Sequence, residues 1–306
     1  MTMVIPAIAR PVAHSPFTRD ALAGYLLVLP ALILLVCLLI GPSLAVFAIS
    51  VTDWQFGAKD FSFVGLQNFR ELLGDDVFLH SLINTMVYVL VVVPTVLGFG
   101  LFVALVIESR KEYQALYRAI HFLPVMATMA AMAIAWEALL HPTIGLVTHL
   151  AQRLGFGPLN FLHDPNLVLA TLCVIGVWQH LGYAMVLFLA GLKAIPGDLY
   201  QAAAIDGVDH PLDRLRFVTL PMLGPVMMFL LIVMTLKALE TFDTVAVLTQ
   251  GGPGDASELL LHTLYVESFQ FFRTGYGAAM TVVFLVIVMA IVLLQAKILD
   301  KKVHYS

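Results

Sequence analysis

Six apolar runs, each long enough to cross a bilayer, constrain this chain more than any other feature. They cover approximately 21–51, 81–108, 119–140, 166–192, 222–248 and 276–298. A helix needs ~20 apolar residues to span a hydrocarbon core. Hydrocarbon offers no water to the backbone, so such runs must satisfy their own amides as helices. The chain is 60% hydrophobic and 12% charged, against about 25% charged in soluble domains. The predicted class is therefore all-α, a polytopic membrane protein with six transmembrane helices. The run at 21–51 is much longer than a signal-peptide core and reads as a retained anchor. It follows a tail at 1–20 with Pro6, Pro11, Pro16, Arg10 and Arg19. A polar external loop at 52–80, a core of five helices at 81–298 and a second tail at 299–306 complete the organisation. Pro94 and Gly98, Pro124 and Pro225 fall inside spans, where kinks are tolerated if neighbouring helices satisfy the freed carbonyls.

Basic residues orient the spans. With the N-terminus cytoplasmic, that side holds Arg10, Arg19, Arg110, Lys111, Arg118, Lys193, Arg214, Arg216, Lys297, Lys301 and Lys302. The other side holds Lys59, Arg70, Arg153 and Arg273, and Lys237 lies within a span. Positive residues favour the cytoplasmic side, so both termini are expected there. The long polar insert at 193–221 then faces the cytoplasm.

Several chemistries are excluded. A net charge of −4 gives no support to nucleic-acid binding. Cys37 and Cys173 both fall in apolar runs, which excludes a disulfide framework or a zinc site, and the scattered histidines suggest no other metal site. No phosphate-cradling GxxxxGK[ST] sequence is present; Gly251-Gly252-Pro253-Gly254 lacks the lysine. The apolar spans carry no Ser–Lys or Asp–Asp pair of the kind an intramembrane enzyme needs. The only acid–base couple within them is Lys237–Glu240.

Two spans carry candidate binding residues. In the fifth, Lys237, Glu240, Thr241 and Thr244 stand at i, i+3, i+4 and i+7, one stripe of a helix. A charge at mid-membrane costs about 2.5–3.5 kcal/mol on insertion scales, so the stripe either walls a polar cavity or pairs with itself or a partner subunit. In the fourth, Trp178, Gln179, His180 and Tyr183 combine rings with hydrogen-bonding groups. Sugars need that combination, although the same residues can also fill a helix interface. Asn84 can contact substrate or bond between helices, and Asp243 is expected to cap or anchor the loop that follows.

The insert from Pro196 to Pro221 reads as helix, glycine turn, helix. Asp198 is placed to cap the first helix, Ala202, Ala203 and Ala204 keep it smooth, and Gly207 stops it. Pro211 suits the first turn of the second helix, which Pro221 bounds.

This insert resembles the EAA loop of binding-protein-dependent ABC importer permeases of the maltose type. Gln201-Ala202-Ala203-Ala204-Ile205-Asp206-Gly207-Val208 occupies the first part of that pattern, and Leu215, Val218, Leu220 and Pro221 the second. Gln201 stands where the family carries Glu, and the interval from Gly207 to Pro221 is slightly longer. The resemblance extends to Phe63-Val64-Gly65-Leu66-Gln67-Asn68-Phe69, Asn84-Thr85, Leu189-Ala190-Gly191-Leu192 with Ile195-Pro196, and Phe242-Asp243 through Leu248-Thr249-Gln250-Gly251-Gly252-Pro253. It implies the type I ABC importer permease fold in a bacterial or archaeal cell membrane. The implied partners are a second homologous permease, two ATPase subunits that bind ATP and magnesium, an external binding protein and membrane lipid. No cofactor is implied on this chain, which is not expected to be an enzyme. Ala202 to Ala204 would enter an ATPase groove while Asp206 and Gly207 shape the turn, and the insert would transmit a rigid-body movement. The implied cargo is a sugar or polyol. Glycerol phosphate is the alternative within the class, and an energy-independent carrier or an intramembrane enzyme is the less favoured alternative outside it.

Overall fold

The computed structural model describes residues 19–110, 114–157 and 159–300. The tails expected at 1–20 and 299–306 lie almost wholly outside these residues, as do the basic positions Arg10, Lys111, Lys301 and Lys302. Among the described residues every regular element is helical, with one isolated bridge between Thr52 and Phe63.

The first span comprises α1 (Arg19–Leu35), a π-helical turn at Val36–Ile40 and α2 (Gly41–Ile49). No residue described in its apolar stretch Leu22–Ile49 is fully buried, and only α2, half-buried at Val46 and Ile49, packs against the last helix. A short helix, α3 (Gln67–Leu73), leads to α4 (Asp76–Ser109), which starts before the expected residue 81. Asp75 sets that start: its Oδ1 accepts from the Val77 and Phe78 amides at 2.9 and 3.1 Å, a side-chain N-cap. At ~1.5 Å per residue α4 is roughly 50 Å long and exceeds the bilayer core by several turns.

The third expected span, 119–140, is not one helix. It divides into α5 (Gln114–Met126) and α6 (Met129–Leu140), which meet at 101°. Pro124 lies in the last turn of α5, where it removes a helix amide and crowds the preceding carbonyl. Thr128 then adopts an extended conformation that starts α6 in a new direction. A surface helix, α7 (Leu146–Arg153), precedes α8 (Val168–Ala194), the fourth span.

The core is the crossing of α4 and α8. Phe78, Ser81, Thr85, Tyr88, Val92, Val96, Gly100, Ala104 and Ile107 form the buried face of α4, recurring every three or four residues as one helix face must. Small residues set the approach: a Cβ on Gly100 would stand 2.9 Å from that of Ala184. Gly182 admits α5 in the same way, since its Cβ would lie 2.7 Å from the His121 carbonyl carbon. Helices in lipid gain affinity through close packing, and Gly182→Leu is expected to drive α5 off α8. Overpacking of this kind costs about 1–3 kcal/mol; a lowered unfolding temperature of the detergent-solubilised protein would report it, and an unchanged one would refute it.

The insert folds as α9 (Gly197–Ile205), a turn, α10 (Pro211–Arg214), a π-helical stretch at Leu215–Thr219 and α11 (Leu220–Met222). Two details differ from expectation. Asp198 lies in the first turn of α9, whose N-cap is Pro196 with no side-chain cap bond; its carboxylate therefore acts on the helix dipole rather than on a cap amide. Pro221 does not bound the second helix, which continues through it to Met222. The π turn explains this, since its extra residue moves the ring away from the carbonyl it would otherwise meet. The same device precedes Pro42 in the first span.

The fifth span is α12 (Gly224–Leu239) followed, after a break, by α13 (Asp243–Leu248). A loop and α14 (Leu260–Tyr265), extended by a π turn at Val266–Gln270, lead to the sixth span, α15 (Thr274–Asp300). At the end of the bundle away from α9, polar contacts fasten these pieces together. Asn68 Nδ2 donates to the Ser50 and Thr52 carbonyls at 2.9 and 2.8 Å. Arg273 binds Glu267 at 3.1 Å and Glu71, and lies over the Tyr276 ring.

Candidate functional site: a polar cavity at a broken helix

The stripe expected on one helix is interrupted. Lys237 occupies the last turn of α12, Glu240 is its C-cap, Thr241 and Phe242 lie in the break, and Thr244 is buried in α13. The charges suit the two helix ends. Lys237 lies where the α12 carbonyls are unsatisfied, and Asp243 where the α13 amides are. Broken spans of this kind place backbone ends and side chains at transporter cavities.

Gln179 and His180 of α8 face this break across a cavity of about 190 Å³, lined also by Lys237, Glu240, Thr241, Phe242, Asp243 and Thr244. Six of the nine sequence candidates therefore meet in one place. Tyr183 adjoins them, with Lys237 Nζ 5.8 Å from its ring centroid. Lys237 and Glu240 are both exposed from the chain's own core, and neither forms an ion pair within 4.0 Å among the described residues.

The other two candidates lie elsewhere. Trp178 packs edge-on against Trp136 of α6, with centroids 5.3 Å apart. Asn84 donates to the carbonyls of Asp255 and Glu258 at 3.2 and 3.1 Å, holding the 250–259 loop against α4. Thr85 adds a bond from the Leu260 amide to its Oγ1 at 2.9 Å. Asn84→Ala is expected to free the loop, since each part-buried hydrogen bond lost removes about 0.5–1.5 kcal/mol. Faster proteolytic nicking between Gln250 and Leu259 would register the change; wild-type resistance would contradict it.

Sequence reasoning missed a second cavity and the residue that links it to the first. Phe242 also lines a cavity of about 700 Å³ at the end away from α9, together with Gln250, Asp255, Glu258, His262, Tyr265 and Glu267 among others. Phe242 meets Tyr265 at a centroid distance of 5.0 Å. Glu258 Oε1 accepts from His262 Nδ1 at 2.7 Å and Thr263 Oγ1 at 2.9 Å. Burial pushes the Glu267 carboxyl above its ordinary range, opposed by the neighbouring Arg273. The signal for Phe242 was its place within the polar stripe, directly after Thr241. The 700 Å³ cavity had none, because its walls come from α4, α13, α14 and the intervening loop.

Residues 74–305 match the family described as binding-protein-dependent transport system inner membrane component. The chain belongs to this family. It is a multi-pass permease of the membrane, with the ABC importer permease fold. Among its relatives is a probable ABC transporter permease protein, YesP, of Bacillus subtilis strain 168, 35% identical over 94% of each chain. The sn-glycerol-3-phosphate transport system permease protein UgpA of Pectobacterium atrosepticum is 31% identical, over 95% of this chain and 98% of its own. The trehalose/maltose transport system permease protein MalF of Thermococcus litoralis is 32% identical, over 92% and 94%. A crystal structure of a bacterial ABC transporter that imports the acidic polysaccharide alginate shares the fold. It gives a TM-score of 0.81 at 21% identity, covering 92% of this permease and 96% of that chain.

Proposed function

We propose that this permease is one of two membrane subunits of an ATP-driven importer and forms half of the path for a sugar or polyol delivered by an external binding protein. The cavity at the broken fifth span carries this reading. Its amide, hydroxyl and imidazole groups, with an aromatic ring at Phe242 and another adjoining at Tyr183, match the hydroxyls and apolar faces of a saccharide. The bias of basic residues puts both termini and the α9–α11 insert in the cytoplasm. There α9 has an exposed face that includes Gln201, Ala202 and Ile205, and Ile205 is 87% exposed. An apolar side chain so displayed beside a smooth alanine helix suits docking into an ATPase subunit, which supplies the nucleotide and magnesium chemistry that this chain has no sequence for.

Reconstitution tests the reading. The permease with its partner permease, ATPases and binding protein, sealed in proteoliposomes, is expected to accumulate labelled saccharide only with ATP and binding protein. Accumulation without either would refute the importer mechanism. A second cargo, glycerol phosphate, is favoured by the name of the Pectobacterium relative and by Lys237, the one lysine or arginine lining the 190 Å³ cavity among the described residues.

A further inference from the structure

The 700 Å³ cavity has a composition that chooses between those cargoes. Phe242 and Tyr265 give it aromatic surface and Gln250 an amide. Its ionisable lining is acidic apart from His262: Asp255, Glu258 and Glu267 contribute carboxylates, and no lysine or arginine lines it among the described residues. Glu267 is partly compensated by Arg273 at 3.1 Å. Glu258 is the more telling group. Its side chain is 8% exposed and its Oε1 takes both available donors. Its Oε2 receives no hydrogen bond among the described residues and lies against Gly251, where a Cβ could not fit. A carboxylate oxygen without a donor, on a side chain otherwise buried in the wall of a large cavity, can take one from an occupant. Hydroxyl and ammonium groups can give it; an ionised phosphate or carboxylate on the same solute adds like-charge repulsion against the cavity's carboxylates.

The same balance continues inward. Phe242 belongs to both cavities, and the inner one sets a single Lys237 against Glu240 and Asp243. A solute passing from the outer to the inner cavity therefore meets carboxylates at each stage.

We propose that the larger cavity is an outer substrate site that admits saccharides and polyols without negative charge and rejects phosphate esters and uronates. This rests on the permease reading and narrows it. Tyr265 and Phe242 offer ring faces to apolar sugar C–H groups, and Glu258 Oε2 takes a donor from a hydroxyl.

The assembled complex in lipid nanodiscs, with the binding protein omitted so that its own selectivity does not intervene, supplies the test. Saturation-transfer NMR is recorded with maltose, mannitol, glucosamine, glycerol 3-phosphate and galacturonate as separate probes. Transfer is expected to at least one of the first three and to neither anion. Glu258→Gln is expected to weaken the retained probe about tenfold, the scale of one lost hydrogen bond to a charged group. Tyr265→Ala is expected to weaken it comparably and does not disturb the buried Glu258 network. Gln270→Lys, at the exposed rim, is expected to bring the anions into view. Transfer to an anion in the wild type, transfer to no probe, or unchanged binding in both Glu258→Gln and Tyr265→Ala overturns the proposal. None of these results decides whether wild-type uptake in proteoliposomes is driven by ATP. Failure of that uptake would overturn the permease reading and this inference with it.

Discussion

Gly207→Val is expected to abolish ATP-coupled uptake, by tenfold or more, while the permease still inserts and co-purifies with its partners. Gly207 has φ +83° and closes α9 with a paired motif: its own amide reaches Ala204 O at 3.1 Å and the Val208 amide reaches Ala203 O at 2.9 Å. These are the two bonds of a Schellman cap, which needs a left-handed residue at this point. The turn is then fixed to the next helix. Arg214 donates from Nε to Val208 O at 3.2 Å and from Nη2 to Asp209 at 3.3 Å. Tyr200 and Thr219 hydroxyls meet at 3.1 Å. α9 and the helix after it are thus one rigid piece, as a coupling element must be to pass on a displacement rather than absorb it. A Cβ at Gly207 would meet nothing within 4 Å, so Val causes no clash inside this chain. Its effect is on the backbone, where a left-handed L-residue costs about 1–2 kcal/mol and a β-branched one is a genuine outlier. Gly207→Asn, which tolerates that conformation, is expected to retain most uptake. Substrate-stimulated ATP hydrolysis and uptake at wild-type levels in the Val variant would defeat the coupling role. Loss in both variants would place the requirement at an ATPase surface that accepts no side chain there.

The spans were legible because hydropathy reports insertion directly, but the arrangement of the spans was far less so. A helix in lipid is apolar on the face it buries and on the face it shows to acyl chains, so α4 carries its core-facing periodicity without a contrasting polar face. The clues to helix packing are small residues such as Gly100 on α4 and Gly182 on α8, which hydropathy barely weights. Pro124 was visible, yet a kink and a 101° break look alike in sequence, because the difference lies in what α8 and α13 offer the two halves. The cavity at the fifth span was half-legible for a related reason. Lys237, Glu240, Thr241 and Thr244 have helical spacing, but the helix ends at Leu239 and resumes at Asp243. That break draws Phe242 into the lining and leaves Lys237 and Glu240 unpaired with each other. Asn84 shows the opposite error of scale: a polar residue in an apolar span, its donors are taken by a loop some 170 positions away.

Lys237→Met is expected to lower uptake about 10- to 100-fold with assembly unchanged. Lys237 is exposed from its own chain and lacks an acidic partner within 4.0 Å among the described residues. A charge at this depth costs about 2.5–3.5 kcal/mol unless something compensates it. Two sources can do so, the water and substrate of the cavity or a carboxylate of the second permease, and they predict different failures. If a partner carboxylate holds the lysine, Met leaves that carboxylate buried and unpaired, a loss of about 3–5 kcal/mol, and the two permeases separate during purification. If the cavity holds it, Met removes one charged hydrogen bond to the cargo, worth about 1.5–3 kcal/mol, and the complex stays whole. The geometry favours the cavity, because Lys237 shares its lining with Gln179, His180 and Thr241 and projects over the Tyr183 ring. Lys237→Arg separates charge from shape: it keeps the cation and is expected to recover part of the uptake, whereas a steric role would leave it no better than Met. Wild-type KM and rate in the Met variant would remove Lys237 from the path altogether.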